Sequence, residues 1–378
     1  MLQTPDSLHS CLKTLQVILV SFILASVVQP LAGQPHFTVL DLGTLGGSGA
    51  TQPSGISQDG QVVGFAFISS NQFAYHAFRT SPNRAINPVT DDLGTLGGQL
   101  SSAAAINRFG QVAGTSAIAS NGFVEHAFRT APHESIHPAD DLGTLRGDSS
   151  SGTGINDRGQ VVGSSLTAGN TATHAFRTAP NRPINPATDD LGTLGGSFSQ
   201  ATGVNNLGQA AGFSTTSQGT THAFLTAPDR PINPATDDLG TLGANALASA
   251  VGRHDHVVGY SFPYSSNLFY FHAFLTNPGS GTVQDLGALG PAAFASSGAA
   301  GINRYGQVVG YSQTSTGEMH AFLYMSGKMH DLNDLIPANS GWVLQSAYGI
   351  NDAGQIIGTG IYNGQPRAFR LIPSTEGM

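Results

Sequence analysis

The apolar residues of this chain fall in short runs, separated by polar, Gly-rich and Pro-rich segments, and the runs follow one another in a fixed order. Between residues 150 and 194 the order is a run of small residues ending in Ile155, then Val161-Val162, then Ala175-Phe176, then Leu191. Runs of this length bounded by turn residues predict β-strands, which we name strands a, b, c and d. Beyond the first 30 residues no window has the i, i+3, i+4 spacing of an amphipathic helix, so the chain is predicted to be all-β.

This set of four strands recurs seven times, at a spacing of about 49 residues. Strand d begins with an aspartate in every unit: Asp41, Asp92, Asp141, Asp190, Asp238, Asp285 and Asp331. Strand c begins with a histidine in six units, at His76, His126, His174, His222, His272 and His320, and with Arg367 in the seventh. A repeat of this length made of short strands is typical of a β-propeller. We therefore predict a seven-bladed β-propeller with four-stranded blades.

Strand a carries very small residues on one face, as in Ser101, Ala103 and Ala105. Such a face allows close approach of backbones at the axis of a ring, so strand a is predicted innermost and strand d outermost. The repeats begin with a strand d, at residues 36–45, and end with a strand c. We expect the N-terminal strand to join the last blade, which would remove two exposed sheet edges.

The N-terminal residues differ from the repeats. An apolar run at residues 15–28 follows Lys13 and is short for a membrane span, so residues 1–33 are predicted to be a cleaved signal peptide. The alternative is an uncleaved membrane anchor. Residues 34–378 would form one propeller domain, secreted, extracellular or periplasmic. Cleavage would remove Cys11, the only cysteine, which excludes a disulfide framework.

The charge and composition of the chain limit the classes of binding partner that can be expected. Only 10% of the residues are charged, the net charge is −8, and no basic stripe is present. Nucleic acid is therefore not an expected partner, and the mature chain is not expected to insert into a membrane. A glycan or a surface protein remains as the expected ligand class, and a monomer as the expected state.

Three ordered motifs carry a resemblance to a known family. They are Asp-Leu-Gly-Thr-Leu-Gly-Gly at Asp41–Gly47, Gly-Ile-Asn-Asp-x-Gly-Gln-Val-Val-Gly from Gly154, and His-Ala-Phe from His76. Together they resemble the HAF-repeat family of extracellular bacterial proteins, over residues 36–371. The resemblance implies secretion or exposure at the cell surface, and it implies no activity, substrate or catalytic residue.

The repeated His and Asp residues are interpreted as structural, because a catalytic site is needed once whereas a blade scaffold is needed in every unit. Homologous positions place Arg79, Arg129 and Arg177 opposite Asp92, Asp141 and Asp190, as pairs that fix strand register. No catalytic residue, metal ligand set or cofactor is predicted. His254-Asp255-His256 is either a metal site or a turn that has drifted from the repeat, and the drifted turn is favoured.

The residues that break the repeat are the predicted ligand contacts. The d–a and b–c loops should share one face of the ring, and the a–b and c–d connections the other. Large aromatic residues concentrate in the d–a and b–c loops, especially in units five to seven. The predicted ligand-binding residues are Trp342, Tyr264, Phe269, Tyr270, Phe73 and Tyr362. The alternative is that these aromatics pack against their own loops.

Three functions are consistent with these patterns. The leading one is a non-catalytic binding or interaction module for a glycan or a protein, because the polar residues are symmetric and no asymmetric set of acid, base and nucleophile stands out. The second is a polysaccharide-active hydrolase or lyase, with its site at the axial opening. The third is a structural component of a surface layer or matrix.

Overall fold

The computed structural model describes residues 36–69, 74–119, 124–263, 270–277 and 282–374. The first strands are β1 (Phe37–Asp41), β2 (Gln52–Ile56), β3 (Val62–Phe67), β4 (Tyr75–Arg79), β5 (Ser101–Ile106), β6 (Val112–Ala117), β7 (Glu125–Arg129), β8 (Arg146–Ile155), β9 (Val161–Thr167), β10 (Thr173–Arg177), β11 (Asp190–Gly192), β12 (Gly195–Val204) and β13 (Ala210–Thr216). They are followed by β14 (Thr221–Leu225), β15 (Asp238–Gly240), β16 (Ala246–Val251), β17 (Val257–Ser261), β18 (His272–Thr276), β19 (Val283–Asp285), β20 (Ser297–Ile302), β21 (Val308–Gln313), β22 (Met319–Met325), β23 (Lys328–Asp331), β24 (Trp342–Ile350), β25 (Ile356–Tyr362) and β26 (Gln365–Pro373). Short 3₁₀ turns occur at Pro138–Asp140, Ala168–Asn170 and Leu332–Leu335. Within the described ranges, no helix is both long and apolar enough to cross a membrane.

Each repeat folds as an antiparallel set of strands in the order a, b, c, d. The sets with four strands are β8–β9–β10–β11, β12–β13–β14–β15, β16–β17–β18–β19, β20–β21–β22–β23 and β24–β25–β26–β1. The sets with three strands are β2–β3–β4 and β5–β6–β7. One parallel pair, Thr173 with Phe198, joins the β8–β11 set to the β12–β15 set.

Hydrogen bonds link neighbouring sheets and also link the last sheet to the first. Between two successive sheets, Thr153 Oγ1 donates to the carbonyl of Ala201 at 2.7 Å. At the closure, Asn351 Nδ2 donates to the carbonyl of Ser57 at 3.1 Å. The sheets therefore form a closed ring, and the protein is an all-β β-propeller.

The prediction of seven four-stranded blades is corrected, because five blades have four strands. In the β2–β4 and β5–β7 sheets, strand d is reduced to isolated bridges of Phe78 with Asp92 and Phe128 with Asp141. Gly94 and Gly143, two residues after these aspartates, have φ angles of 72° and 71°. The homologous Gly192 and Gly240, at the ends of β11 and β15, have nearly the same φ angles of 70° and 68°, so this glycine keeps strand d short in the four-stranded sheets as well.

The N-terminal strand completes the last sheet, as the sequence predicts. Strand β1 pairs with β26 in an unbroken antiparallel register from Phe37 opposite Pro373 to Asp41 opposite Phe369. Phe37 is buried in the core of that sheet. The two ends of the described chain are therefore held in one sheet.

Strand a is innermost, and its small residues make the contacts between sheets. In β8, Ser150 Oγ accepts from the amide of Ala127 at 2.9 Å and donates to the carbonyl of Gly143 at 2.6 Å. A Cβ atom on Gly152 would lie 2.7 Å from the carbonyl oxygen of Gly114. Larger side chains at these positions would push the sheets apart.

The apolar core is divided among the spaces between sheets. The Phe of each His-Ala-Phe motif, and Phe369 in the last repeat, is fully buried. Phe128, for example, packs with Val63 and Ala77 of the preceding sheet and with Val112 of its own. Burying one such side chain stabilises the fold by about 2–3 kcal/mol, so every interface between sheets holds its own share of the stability.

Candidate ligand-binding site at the ring axis

The turns between strands a and b of every repeat surround a cavity of about 680 Å³ at the axis of the ring. The last residue of strand a in every repeat is β-branched and lines this cavity. These residues are Ile56, Ile106, Ile155, Val204, Val251, Ile302 and Ile350. These residues form an apolar ring. The residues of the turns that follow them add polar groups above this ring, so the cavity has an apolar base and a polar rim.

An asparagine at the start of most of these turns holds the rim in place. Asn156 Oδ1 accepts from the backbone amides of Arg158 and Gln160, and Asn156 Nδ2 donates to Gln160 Oε1 at 2.8 Å. The same Nδ2 donates to the carbonyl of Asn205 in the next repeat at 2.9 Å. The side chain therefore shapes its own turn and ties it to the next one.

The next residue in each turn forms the rim and does not follow the repeat: Gln58, Arg108, Asp157, Asn206, Arg253, Arg304 and Asp352. Several of these residues are linked around the ring. The amide of Arg108 donates to Asp157 Oδ1 at 3.1 Å, and Asn206 Nδ2 donates to Asp157 Oδ2 at 2.7 Å. The rim is thus preorganised and chemically asymmetric.

A second concave surface adjoins the axial cavity on the same face of the ring. It encloses about 650 Å³ and shares Arg108 and Asp157 with the cavity, and Phe109, Pro132 and His133 also line it. Phe109 is 44% exposed, and Arg108 lies over its ring with the guanidinium carbon 4.7 Å from the ring centroid. A ligand that fills the axis can therefore continue outward along this groove.

The face of the ring that holds these two cavities is not the face that the sequence analysis selected. As predicted, the a–b turns and the c–d connections share one face, where the amide of Asn83 donates to the carbonyl of Gly60 at 3.1 Å. The d–a and b–c loops share the opposite face, where the amide of Gly47 donates to the carbonyl of Phe67 at 3.0 Å. The axial cavity and its groove lie on the a–b face, whereas the predicted ligand contacts that the structure describes, Trp342, Tyr270 and Tyr362, lie on the d–a face.

Two of the predicted ligand residues, Trp342 and Tyr362, contact each other. Their rings stack with centroids 4.9 Å apart, and Trp342 also meets the fully buried Phe369 edge-on at 6.0 Å. Trp342 is only half-buried, and with His320 and Asn333 it lines a pocket of about 450 Å³. These contacts show Trp342 as part of a packed cluster with one accessible side.

Of the other four predicted aromatic residues, the structure describes only Tyr270. Tyr270 meets Phe294 of the next repeat edge-on, with centroids 6.3 Å apart, and Phe294 is 70% exposed. Tyr264, Phe269 and Phe73 lie outside the described residues. Tyr270 is therefore in contact with an exposed ring of the next repeat.

Six of the seven repeated aspartates pair with the histidine of their own repeat, and the predicted pairs of Arg79, Arg129 and Arg177 with these aspartates are wrong. The distances from His Nδ1 to the carboxylate are 2.9 Å for His76–Asp92, His126–Asp141 and His174–Asp190, 2.8 Å for His222–Asp238 and His272–Asp285, and 2.6 Å for His320–Asp331. In the last repeat, Arg367 Nε lies 4.0 Å from Asp41. Arg79 instead donates to the carbonyls of Gly110 and Glu134 in the next repeat.

The reason for this error is visible in the β22–β23 hairpin. A two-residue turn, Ser326-Gly327, has φ angles of 52° and 79° and sets a register in which Asp331 lies opposite Phe322. A shift of one residue moves a side chain to the other face of a sheet. Asp331 therefore lies on the same face of the sheet as Phe322 and His320, which are two residues apart on β22. Leu323, the residue after Phe322, lies on the other face.

The paired groups have shifted pKa values. The hydrogen bond with Asp141 raises the pKa of His126, and burial opposes that shift. Burial raises the pKa of Asp141, but the hydrogen bonds from His126 and from the amide of Gly143 outweigh it and lower the pKa below its ordinary value. His272 and Asp285 shift in the same two directions, His272 first through its hydrogen bond with Asp285. These pairs hold strands c and d together, and none of them lines the axial cavity or the groove beside it.

No group of three or more His, Cys, Asp or Glu residues in the described part of the chain could hold a metal ion. At the drifted turn, His256 Nδ1 lies 2.8 Å from the carbonyl of Thr276, and Asp255 takes the left-handed conformation, with a φ of 62°, that a glycine takes in other repeats. The local structure is that of a modified turn.

Sequence reasoning missed the rim of the axial cavity. The signal was present in the second residue of the turn, where Gln, Arg, Asp, Asn, Arg, Arg and Asp follow a position that is asparagine in five of the seven units. The third residue of the turn varies as well, so variation alone did not single out the residues that line the cavity.

Comparisons with known proteins place the fold without assigning a function. Residues 183–370 match a family described as "Protein of unknown function (DUF3466)". No curated protein sequence matches the chain. The structure is similar to the β-propeller domain of the Trilobed protease from Pyrococcus furiosus (TM-score 0.43, 9% identity, 72% of this chain and 84% of that one). It is also similar to the BP39L lectin from Burkholderia pseudomallei (TM-score 0.43, 11% identity, 86% and 96%). At these scores neither similarity carries an argument about function.

Proposed function

We propose that the protein is a non-catalytic binding module that takes its ligand in the axial cavity. The observation that carries this proposal is the rim, where every repeat contributes a residue to one 680 Å³ space and where those residues stop following the repeat. Concave sites of this size with a few oriented polar groups are typical ligand sites. The rest of the ring supplies a rigid frame.

The carboxylates of the rim are occupied in ways that suit binding better than catalysis. Asp157 accepts from the amide of Arg108 and from Asn206 Nδ2, and it faces Arg108 Nε at 3.7 Å. Asp352 accepts from the amide of Arg304 and faces Arg304 Nε at 3.8 Å. A general acid or base must be free to meet the substrate, and these carboxylates are instead taken up by hydrogen bonds and ion pairs within the rim. For this reason we place the polysaccharide-active enzyme second.

An elongated ligand fits the two adjoining cavities better than a compact one. The groove beside the axis shares Arg108 and Asp157 with the axial cavity, and Phe109 adds an exposed ring to it. Tyr305, also next to the rim, is 62% exposed. Exposed aromatic rings beside hydrogen-bonding side chains suit a sugar chain, so a glycan is the proposed ligand and a protein segment the alternative.

The experiment is a glycan array with the full chain, followed by calorimetry on the best glycan. The double variant Arg108→Ala/Phe109→Ala should lose binding by at least about tenfold. Phe294→Ala, which removes an exposed ring from the opposite face, is the matched control and should bind normally. Unchanged binding by the double variant, or loss of binding by the control alone, would move the site to the Trp342 face.

The proposal includes a ring of seven blades with unequal numbers of strands. The three-stranded β2–β4 and β5–β7 sheets count as blades, because each keeps a bridge at the position of strand d.

The proposal also includes the family and the location of the protein. The repeated motifs support membership of the HAF-repeat family. Residues 1–33 act as a secretion signal, and the protein works outside the cytoplasm. Mass spectrometry of the mature N-terminus, with cleavage expected near Gly33, tests the last statement.

A further inference from the structure

One arginine of the rim differs from the other two in having no counter-ion. Arg108 faces Asp157 and Arg304 faces Asp352, with separations of 3.7 and 3.8 Å. Arg253, which lines the same cavity, makes no hydrogen bond or ion pair with any residue in the described part of the chain. Asp255, close by in the same turn, does not pair with it. Among the arginines that line the axial cavity, Arg253 is therefore the one without a carboxylate at ion-pair distance in the described part of the chain.

The links around the rim are also interrupted on both sides of Arg253. The amide of Asp157 donates to Asn206 Oδ1, and the amide of Asp352 donates to Gln58 Oε1, but the described residues include no equivalent bond from Asn206 to Arg253 or from Arg253 to Arg304. Gly252 replaces the asparagine that ties one turn to the next. Arg253 thus stands in the widest break of the hydrogen-bonded rim.

The space beside Arg253 follows from the same replacement. A Cβ atom on Gly252 would meet its nearest heavy atom, Ile302 Cγ2, at 3.5 Å, which is an ordinary van der Waals distance. The φ angle of Gly252 is not in the left-handed region. Neither space nor backbone conformation therefore requires glycine there, and its effect is to leave room in the cavity wall next to a free guanidinium.

Given the proposed function, we infer that the axial cavity takes an anionic sugar and that Arg253 contacts its carboxylate. A guanidinium presents two parallel N–H donors to a carboxylate, and such charge-assisted pairs are the stronger class of hydrogen bond. The chain as a whole has a net charge of −8, so the protein as a whole would not attract anions, and recognition depends on this local charge. The ligand class is a uronic acid residue within a polysaccharide.

The test compares each acidic oligosaccharide with its uncharged methyl ester, which has the same backbone. The probes are oligomers of galacturonate, of mannuronate and of glucuronate-containing chains, titrated into the full chain at low salt. At least one acid should bind about tenfold more tightly than its ester. Arg253→Gln should remove that preference, and Arg253→Lys should keep part of it. Arg84→Gln, at an exposed arginine of the c–d side, is the matched control and should bind as the unaltered protein does.

The outcomes separate the two proposals. Equal binding of acid and ester, with no effect of Arg253→Gln, would overturn the carboxylate assignment and leave the binding module in place. The same is true if sulfated oligosaccharides bind and no carboxylate does. If neither the acids nor any glycan on the array binds, both proposals are wrong. Arg253 is exposed, so the melting temperatures of the variants should match the unaltered protein and exclude misfolding as the cause.

Discussion

Arg370 lies directly opposite Leu40 in the β1–β26 pair, at a position where other repeats bring an aspartate near the equivalent arginine. The charges of Asp91, Asp140 and Asp189 interact favourably with the guanidinium groups of Arg79, Arg129 and Arg177, respectively. Arg370 is fully buried, its Nη1 donates to the carbonyl of Gly60 at 3.0 Å, and its Nε and Nη2 have no partner among the described residues. Burial lowers the pKa of Arg370 for this reason.

Leu40→Asp should therefore stabilise the protein. The new carboxylate would lie on the same face as Arg370 and supply the missing partner, because directly opposite residues of an antiparallel pair are close neighbours. We expect a gain of about 1–2 kcal/mol in the free energy of unfolding, measured by urea denaturation. Leu40→Ala, which removes the same apolar contact without adding charge, should be neutral or destabilising. If Asp and Ala behave alike, Arg370 is satisfied in another way.

Asn156→Ala should destabilise the ring more than Asn205→Ala. Asn156 Nδ2 reaches the next repeat through the carbonyl of Asn205, whereas Asn205 Nδ2 donates only within its own turn, to Gln209 Oε1. The first variant should lose about 2–3 kcal/mol and the second about 1 kcal/mol less, by thermal or chemical unfolding. Equal losses would mean that the link between repeats adds nothing to the shaping of the turn.

Removal of residues 34–41 should lower the melting temperature and expose a sheet edge. Strand β1 supplies the outer strand of the last sheet, and Phe37 is 4% exposed in its core. Loss of that core residue alone is expected to remove about 3 kcal/mol. Removal of residues 1–33 is the control and should leave the melting temperature unchanged. Size-exclusion chromatography should show aggregation of the shorter form.

Trp342→Ala should destabilise the protein, contrary to the role in binding alone that the sequence suggested. Trp342 stacks on Tyr362 and meets Phe369, so its loss opens a gap against a core residue. We expect a loss of about 2–3 kcal/mol and a smaller loss for Trp342→Phe, measured by denaturant unfolding. An unchanged melting temperature with weaker ligand binding would instead return the binding site to this face.

Stability should depend on pH through the His–Asp pairs. The folded-state pKa of His126 and His272 is raised, so their contribution is present below about 6.5, the ordinary value, and is lost as the pH rises through the folded-state pKa. The folded-state pKa of Asp141 and Asp285 is lowered. These carboxylates therefore add to the free energy of unfolding above about pH 3.9, the ordinary pKa, and that contribution is lost as the pH falls through the folded-state pKa. The melting temperature should therefore be highest between these limits. The double variant His126→Gln/His272→Gln should show a weaker decline between about pH 6 and 8.

The strands and their order could be predicted from the sequence, because the pattern of each strand recurs in every repeat. Drift in one unit, such as Gly252-Arg253-His254, does not hide the pattern that the others share. The innermost position of strand a followed from residues such as Ser150 and Gly152, since only small side chains allow that packing. The closure by β1 followed from strand d standing first and strand c last.

The side-chain pairs and the site were harder to predict for physical reasons. Pairing of His320 with Asp331 depends on a two-residue turn, and one residue of error in the turn reverses the face. The cavity depends on residues about 49 positions apart that meet only in three dimensions, so no single stretch of sequence shows it. Aromatic residues such as Trp342 stand out in sequence, but their hydrophobicity leads equally to packing and to binding.

The closure by β1 also determines the order in which the molecule can be completed. A ribosome delivers Phe37 early and Phe369 late, yet these two segments must meet in one sheet. Every earlier sheet can stack on its neighbour during synthesis, but the ring stays open until the last strand has left the exit tunnel. Contacts between such distant parts of a chain make folding slow. A chain that ends before β26 would therefore leave β1 without a partner strand and the ring open.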